Sequence, residues 1–178
     1  MKKNLLLMLT VALCCAGCVT GAVNPFYTPE AVVPSGEFEG NWYGLEKDDK
    51  GKEIKTPLKI EGERLIMEDE AGAIKFFKVD EQLFADMQLD KEEGDEENPP
   101  HLLFKIIQGA GKLTFIPLDY TWLEDEIGAG NIDLPLIKDE DKRSTLFTAS
   151  PPQWLEFIKT HKDDDYAFPF KEQFVLVQ

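Results

Sequence analysis

Beyond residue 36, apolar and polar positions alternate with a period of two. Ile54, Thr56, Leu58 and Ile60 fall on one face, and Glu53, Lys55, Pro57 and Lys59 on the other. Leu83, Ala85, Met87 and Leu89 alternate in the same way with Phe84, Asp86, Gln88 and Asp90. Successive side chains of a strand point to opposite faces, so this pattern predicts strands with one face in a core and one in water. Pro57 carries no N–H and places its strand at an edge or a bulge. Further strands are predicted at 38–45, 65–68, 74–79, 102–108, 112–118, 145–148 and 173–177. Turn signals separate them: Asp48-Asp49-Lys50-Gly51, Glu61-Gly62-Glu63, Ala71-Gly72 and Gly109-Ala110-Gly111. Short strands joined by tight turns make a mainly β, antiparallel meander, closed as a barrel or half-barrel or stacked as a sandwich.

Two segments change period. Ser150-Pro151-Pro152-Gln153 reads as a helix start, with Ser150 as cap, Pro151 in the first turn and Gln153 completing a capping box. Trp154, Phe157 and Ile158 then share a face, and Lys159, His161 and Lys162 suit the negative end of the helix dipole. A second helix over 119–127 rests on the fourfold spacing of Leu118 with Trp122 and Leu123 with Ile127.

The first eighteen residues have a different character. Lys2 and Lys3 precede an apolar run from Leu5 to Leu13, closed by Cys15-Ala16-Gly17-Cys18. This is the layout of an export signal, and the run is shorter than the roughly 20 residues that span a bilayer as a helix. An ordinary cleaved signal peptide has the same layout. The terminal cysteine makes the segment resemble the bacterial lipoprotein signal, whose box is usually Leu, two small residues and the lipidated Cys. Here Cys15 stands in the place of Leu. Cys14 and Cys15 fit less well as acceptor, because Leu13 or Leu13-Cys14 would precede them. The resemblance implies residues 1–17 as signal peptide and Cys18 as the lipidation site. Several acyl chains on one residue anchor a protein stably where a single chain does not. Val19, rather than Asp, follows Cys18; among such lipoproteins this implies the outer membrane, with the domain facing the periplasm.

All three cysteines lie in this leader, so the exported domain would hold neither thiol nor disulfide and would rely on its core. About 160 residues suffice, since a domain of that size buries roughly 70% of its unfolded surface. Residues 18–36, with Pro25, Pro29 and Pro34, are expected as a lipidated Cys and flexible tether, with Phe26 and Tyr27 available to pack on the domain edge, and 37–178 as the β domain. The chain has 19 basic and 34 acidic residues, a net of −15, which becomes −17 without Lys2 and Lys3. That balance argues against nucleic acid, which needs clustered Lys and Arg, and against electrostatic attachment to anionic lipid. A basic protein partner or divalent cations fit it.

Candidate chemistry is sparse. His101 and His161 are paired by no motif with each other or with Cys, so no metal site and no cofactor are expected. Ser35, Ser144 and Ser150 lie outside any nucleophile elbow. The carboxylate groups Glu68-Asp69-Glu70 and Glu124-Asp125-Glu126 read as solvated charge rather than acid and base. Asp163-Asp164-Asp165 and the run 90–97 are rich in hard oxygen ligands but lack the alternating calcium-loop pattern. Gly128-Ala129-Gly130 and Gly109-Ala110-Gly111 do not form a phosphate cradle. No catalytic residue is assigned.

Phe38-Glu39-Gly40-Asn41-Trp42-Tyr43 stands out. A Gly-x-Trp on the first strand of a meander resembles the lipocalin superfamily, where that Trp closes one end of an up-and-down barrel. Residues 145–161 (Thr-Leu-Phe-Thr-Ala-Ser-Pro-Pro-Gln-Trp-Leu-Glu-Phe-Ile-Lys-Thr-His) resemble the strand-plus-helix ending of small bacterial lipocalin-like lipoproteins. The resemblance covers about residues 37–178 and lacks the disulfide of classical lipocalins. It implies a monomeric, non-catalytic binding module for a small lipophilic ligand. A protein-interaction or inhibitor role toward a basic envelope partner and an envelope hydrolase using two carboxylates are the alternatives. Met87, Phe104, Ile106 and Phe115 are expected inside the barrel, either filling it or lining a pocket.

Overall fold

The computed structural model describes residues 20–47, 53–68, 70–91, 98–139 and 144–178. Its strands are β1 (Thr20–Ala22), β2 (Gly40–Lys47), β3 (Glu53–Glu61), β4 (Arg64–Ile66), β5 (Ala71–Val79), β6 (Gln82–Leu89), β7 (Leu102–Gly109), β8 (Lys112–Pro117), β9 (Leu136–Asp139), β10 (Ser144–Phe147) and β11 (Phe174–Val177). Its helices are α1 (Tyr120–Gly128) and α2 (Pro151–His161). Strands β2 to β8 run as a meander, and β11 pairs with both β8 and β2 to close an eight-stranded antiparallel barrel.

The barrel's pairing register is strongly staggered. Gly40 is level with Leu89 when counted through β3, β4 and β5. Leu45 is level with Gln82 when counted through β11, β8 and β7. An offset of five residues on β2 against seven on β6 amounts to a shear of twelve around the eight strands. Stagger of this kind goes with tilted strands and sets the interior width.

The alternation read from the sequence holds on β3, where Leu58 and Ile60 are buried while Lys59 and Glu61 face water. Pro57 also sits as expected. Strand β4 reaches only Lys59 to Glu61 of β3, so Pro57 has a β2 neighbour in Tyr43 and lies beyond β4 on its other side.

The opposite face of β6 is the exception. Phe84 and Asp86, assigned to water by their alternation, are 0% and 3% exposed. They lie under a second layer built from the N-terminal segment, both helices and a small sheet ordered β1-β10-β9. The unbroken run Leu83-Phe84-Ala85-Asp86-Met87 is what a strand covered on both faces requires. Strands β1 and β9, three and four residues long, carry too few positions to show a period.

The segment expected as a tether is bound along this layer from Thr20 onward. β1 pairs in parallel with β10, and Ala22 exchanges backbone hydrogen bonds with His101 at 2.8 and 2.9 Å. Asn24 Nδ2 donates to the carbonyls of Thr148 and Ala149, and the Val33 N–H donates to the Phe76 carbonyl. Phe26 and Phe38 are fully buried. Prolines at 25, 29 and 34 limit the freedom this strap loses on docking, so a few anchors suffice to hold it.

Candidate functional site

Inside the barrel lie Trp42, Leu58, Ile60, Leu65, Ile74, Phe76, Met87, Phe104, Ile106 and Phe115, all buried. The four residues expected there, Met87, Phe104, Ile106 and Phe115, are among them. Phe38 enters ahead of β2 and stacks on Phe76 of β5, three strands round the barrel, at a centroid distance of 4.0 Å. Trp42 is 3% exposed, and its indole N–H donates to the Phe38 carbonyl at 2.9 Å. Phe104, Phe115 and Phe174 form a second ring cluster at 4.5 to 6.0 Å. Large aromatic side chains from β5, β7, β8, β11 and the strap thus occupy the interior.

Outside the barrel, β5 to β8 are covered and β2 to β4 are not. Strand β3 has nine residues and β4 three, so the first part of β3 overhangs its neighbour. Beside the overhang opens a groove of about 410 Å³. Tyr43, Pro57, Ile66 and Met67 supply its apolar surface, and Asn41, Lys59 and Glu68 its polar groups. Tyr43 is 42% and Ile66 37% exposed, high values for residues of their size. Register explains the grouping: Tyr43 faces Pro57, while Lys59 faces Asn41 on one side and Ile66 on the other. At the start of β4, Arg64 clamps Asp90 through both carboxylate oxygens, and these hydrogen bonds hold that carboxyl below its usual range.

A polar pair missed by sequence reading lies under the strap. Asp86 Oδ2 accepts the Phe26 N–H at 3.0 Å, and Oδ1 sits 2.8 Å from His101 Nδ1. Both oxygens are therefore committed to residues that hold the strap, a structural use of an Asp–His pair. Burial, helped by the Asp86 charge, pushes the Tyr27 phenol upward. The Tyr120 hydroxyl accepts the Leu103 N–H at 3.1 Å, and burial drives its phenol well above the ordinary range. The signal available in the sequence was the apolar context of Asp86, flanked by Ala85 and Met87 with Phe84 two residues before.

The other candidates are dispersed. His161 packs on Trp122 and Phe157 and lies 3.8 Å from Asp164, away from His101. Ser150 starts α2, where its N–H and hydroxyl both donate to Gln153 Oε1. Ser144 is buried in β10, and the Ser35 carbonyl accepts the Phe38 N–H. Glu124 pairs with Lys138, Glu126 accepts from Asn131, Asp163 pairs with Lys162, and Asp164 accepts the Tyr166 N–H. Gly128-Ala129-Gly130 forms the turn that ends α1, and Gly109-Ala110-Gly111 the β7–β8 turn. Among the described residues no group of three or more His, Cys, Asp or Glu is placed to hold a metal ion. No helix among them is long and apolar enough to cross a membrane. Cys18, Asp69 and positions 92–97 lie outside the described residues. No protein-family model, curated protein or solved structure matches the chain.

Proposed function

We propose that this protein is a non-catalytic, lipid-anchored envelope lipoprotein that acts as an interaction module. Its barrel is the scaffold, and the groove beside the β3 overhang is the surface that binds. The observation that carries this reading is the set of aromatic rings packed against one another inside the barrel. Rings already in contact gain more from each other than from an incoming ligand, since dense packing supplies the dispersion energy a ligand would otherwise add. The groove has what an extended segment of a partner needs. It combines apolar contacts at Tyr43, Ile66 and Met67 with a stretch of β3 beyond the reach of β4, suited to main-chain pairing. The net charge of −15 favours a basic partner and accelerates its encounter.

The anchor at Cys18 and the outer-membrane placement rest on the leader's resemblance to lipoprotein signals. The eight-stranded up-and-down closure, with Trp42 buried beside the chain's entry to the barrel, supports kinship with the lipocalin-like lipoproteins. The test is native mass spectrometry of the chain from Val19 onward, exported in its own host behind a cleavable signal peptide and purified from the envelope, combined with titration by a fluorescent fatty acid. A mass equal to that of the polypeptide and no fatty-acid signal are expected. A co-purifying lipophilic mass displaced by micromolar fatty acid would return the function to the barrel interior.

A further inference from the structure

Because the strap is docked, the proposed anchor is not separated from the domain by a spacer. Cys18 and Thr20 are two residues apart, a span of at most about 7 Å. Thr20 begins β1, which is fixed between β10 and His101. A lipid on Cys18 would thus be attached two residues before the small sheet.

That sheet has two unlike faces. Ala22, Phe147 and Leu136 form one cross-strand row and turn inward, with Ala22 and Phe147 fully buried. In the adjacent row Leu146 and Ile137 turn outward, while Gly21 is buried beside Pro100 and His101. Val23 continues it on the same side and is held by its N–H to the Phe147 carbonyl at 2.9 Å. Val23 is 52% and Ile137 60% exposed, and Leu146 is half-buried between them. Strands are spaced about 4.8 Å apart and residues about 3.3 Å along a strand, so this apolar patch lies roughly 10–15 Å from the start of β1.

We propose that the outer face of the β1-β10-β9 sheet, marked by Val23, Leu146 and Ile137, rests on the bilayer beside the acyl chains of Cys18. The inference rests on the reading of Cys18 as the lipidation site. Contact is apolar rather than electrostatic, because a chain of net charge −15 is not drawn to anionic headgroups. The acyl chains supply the affinity, and the sheet face supplies orientation. The barrel is then held in one attitude, with β6 and β7 toward the membrane side and β2 and β3, across the barrel, away from it.

The full chain carries no cysteine after Cys18, so single cysteine labels report cleanly. Val23→Cys, Ile137→Cys and, on the far side, Tyr43→Cys are produced with the native leader. Acylation is verified by mass, and each protein is spin-labelled and reconstituted into phosphatidylethanolamine–phosphatidylglycerol vesicles. Collisions with oxygen, which partitions into lipid, are compared with collisions with a water-soluble nickel chelate. The expected result is a severalfold gain in the oxygen-to-nickel ratio at positions 23 and 137 over position 43. Equal ratios at all three positions in an acylated, vesicle-bound protein would overturn the proposal and leave the anchor standing. Protection of 23 and 137 from both reagents would overturn it in favour of a second protein copy on this face. A polypeptide that lacks acyl mass and fails to float with vesicles would remove the anchor reading and this inference together.

Discussion

Trp42 joins two elements at once: its ring lies in the barrel core and its N–H is held by the Phe38 carbonyl of the strap. Trp42→Ala is expected to cost about 3–5 kcal/mol, measured by urea unfolding, as for other large buried aromatics. Trp42→Phe keeps most of the packing and is expected to lose about 1 kcal/mol, the net worth of the hydrogen bond. Asp86 holds the strap from the other side. Asp86→Ala leaves the Phe26 N–H without its acceptor, a loss of about 1–3 kcal/mol. The double variant with His101→Ala should cost less than the sum of the singles, because the two side chains share one interaction. Tyr120 makes stability depend on alkali. Its phenol is held protonated in the folded chain and ionises near pH 10 once unfolded, so the unfolded state binds fewer protons above that pH. The stabilisation is complete below about pH 10 and declines as pH rises toward the folded value. Denaturant midpoints at successive alkaline pH values should fall, and less steeply for Tyr120→Phe.

At the scale of elements, β1 shows how tightly the strap is seated. A methyl group at Gly21 would stand 2.7 Å from both the His101 carbonyl oxygen and the Pro100 side chain. Gly21→Ala is therefore expected to push β1 away from β7 and expose the hydrogen-bonded amides of Ala22, Val23 and Phe26 to exchange, while those of β3 to β5 stay protected. Hydrogen exchange resolves the two regions. The barrel strands were legible because each carries several alternating positions, and α2 because its cap and apolar face coincide. Both faces of β6 were not, since a period of two assigns every second residue to water and cannot reveal a covering layer. Of the strap only the packing of Phe26 and Tyr27 was legible; its full docking was not, for a related reason: its anchors, Ala22, Phe26 and Phe38, are far apart in sequence and meet partners more than 35 residues away. Interior positions such as Phe104 and Phe115 could be read from the sequence. The groove could not, because it depends on β4 being shorter than β3, and a strand's length is set by pairing rather than by its own residues.

For the whole molecule, the two cores are joined by shared elements. Phe26 and Phe38 belong to one strap yet to different cores, and Tyr120 packs against both. Thermal unfolding followed by near-ultraviolet circular dichroism, which senses Trp42 and Trp154 in different cores, is expected to show a single transition at both signals. Closure also fixes an order of events. Tyr43 pairs with Val177, so the barrel's seam joins its first strand, β2, to its last, β11. β1 likewise waits for β10. Ladders between such distant segments form slowly, since the chain must surrender its loop entropy before the contacts reward it. On the proposed export route, a polypeptide threading through a translocation channel cannot close this barrel until β11 has left. On that route the late position of β11 would keep the chain loose enough to travel, and the interval after release, with the β2 and β8 edges still open, would be the time when a holding chaperone matters most.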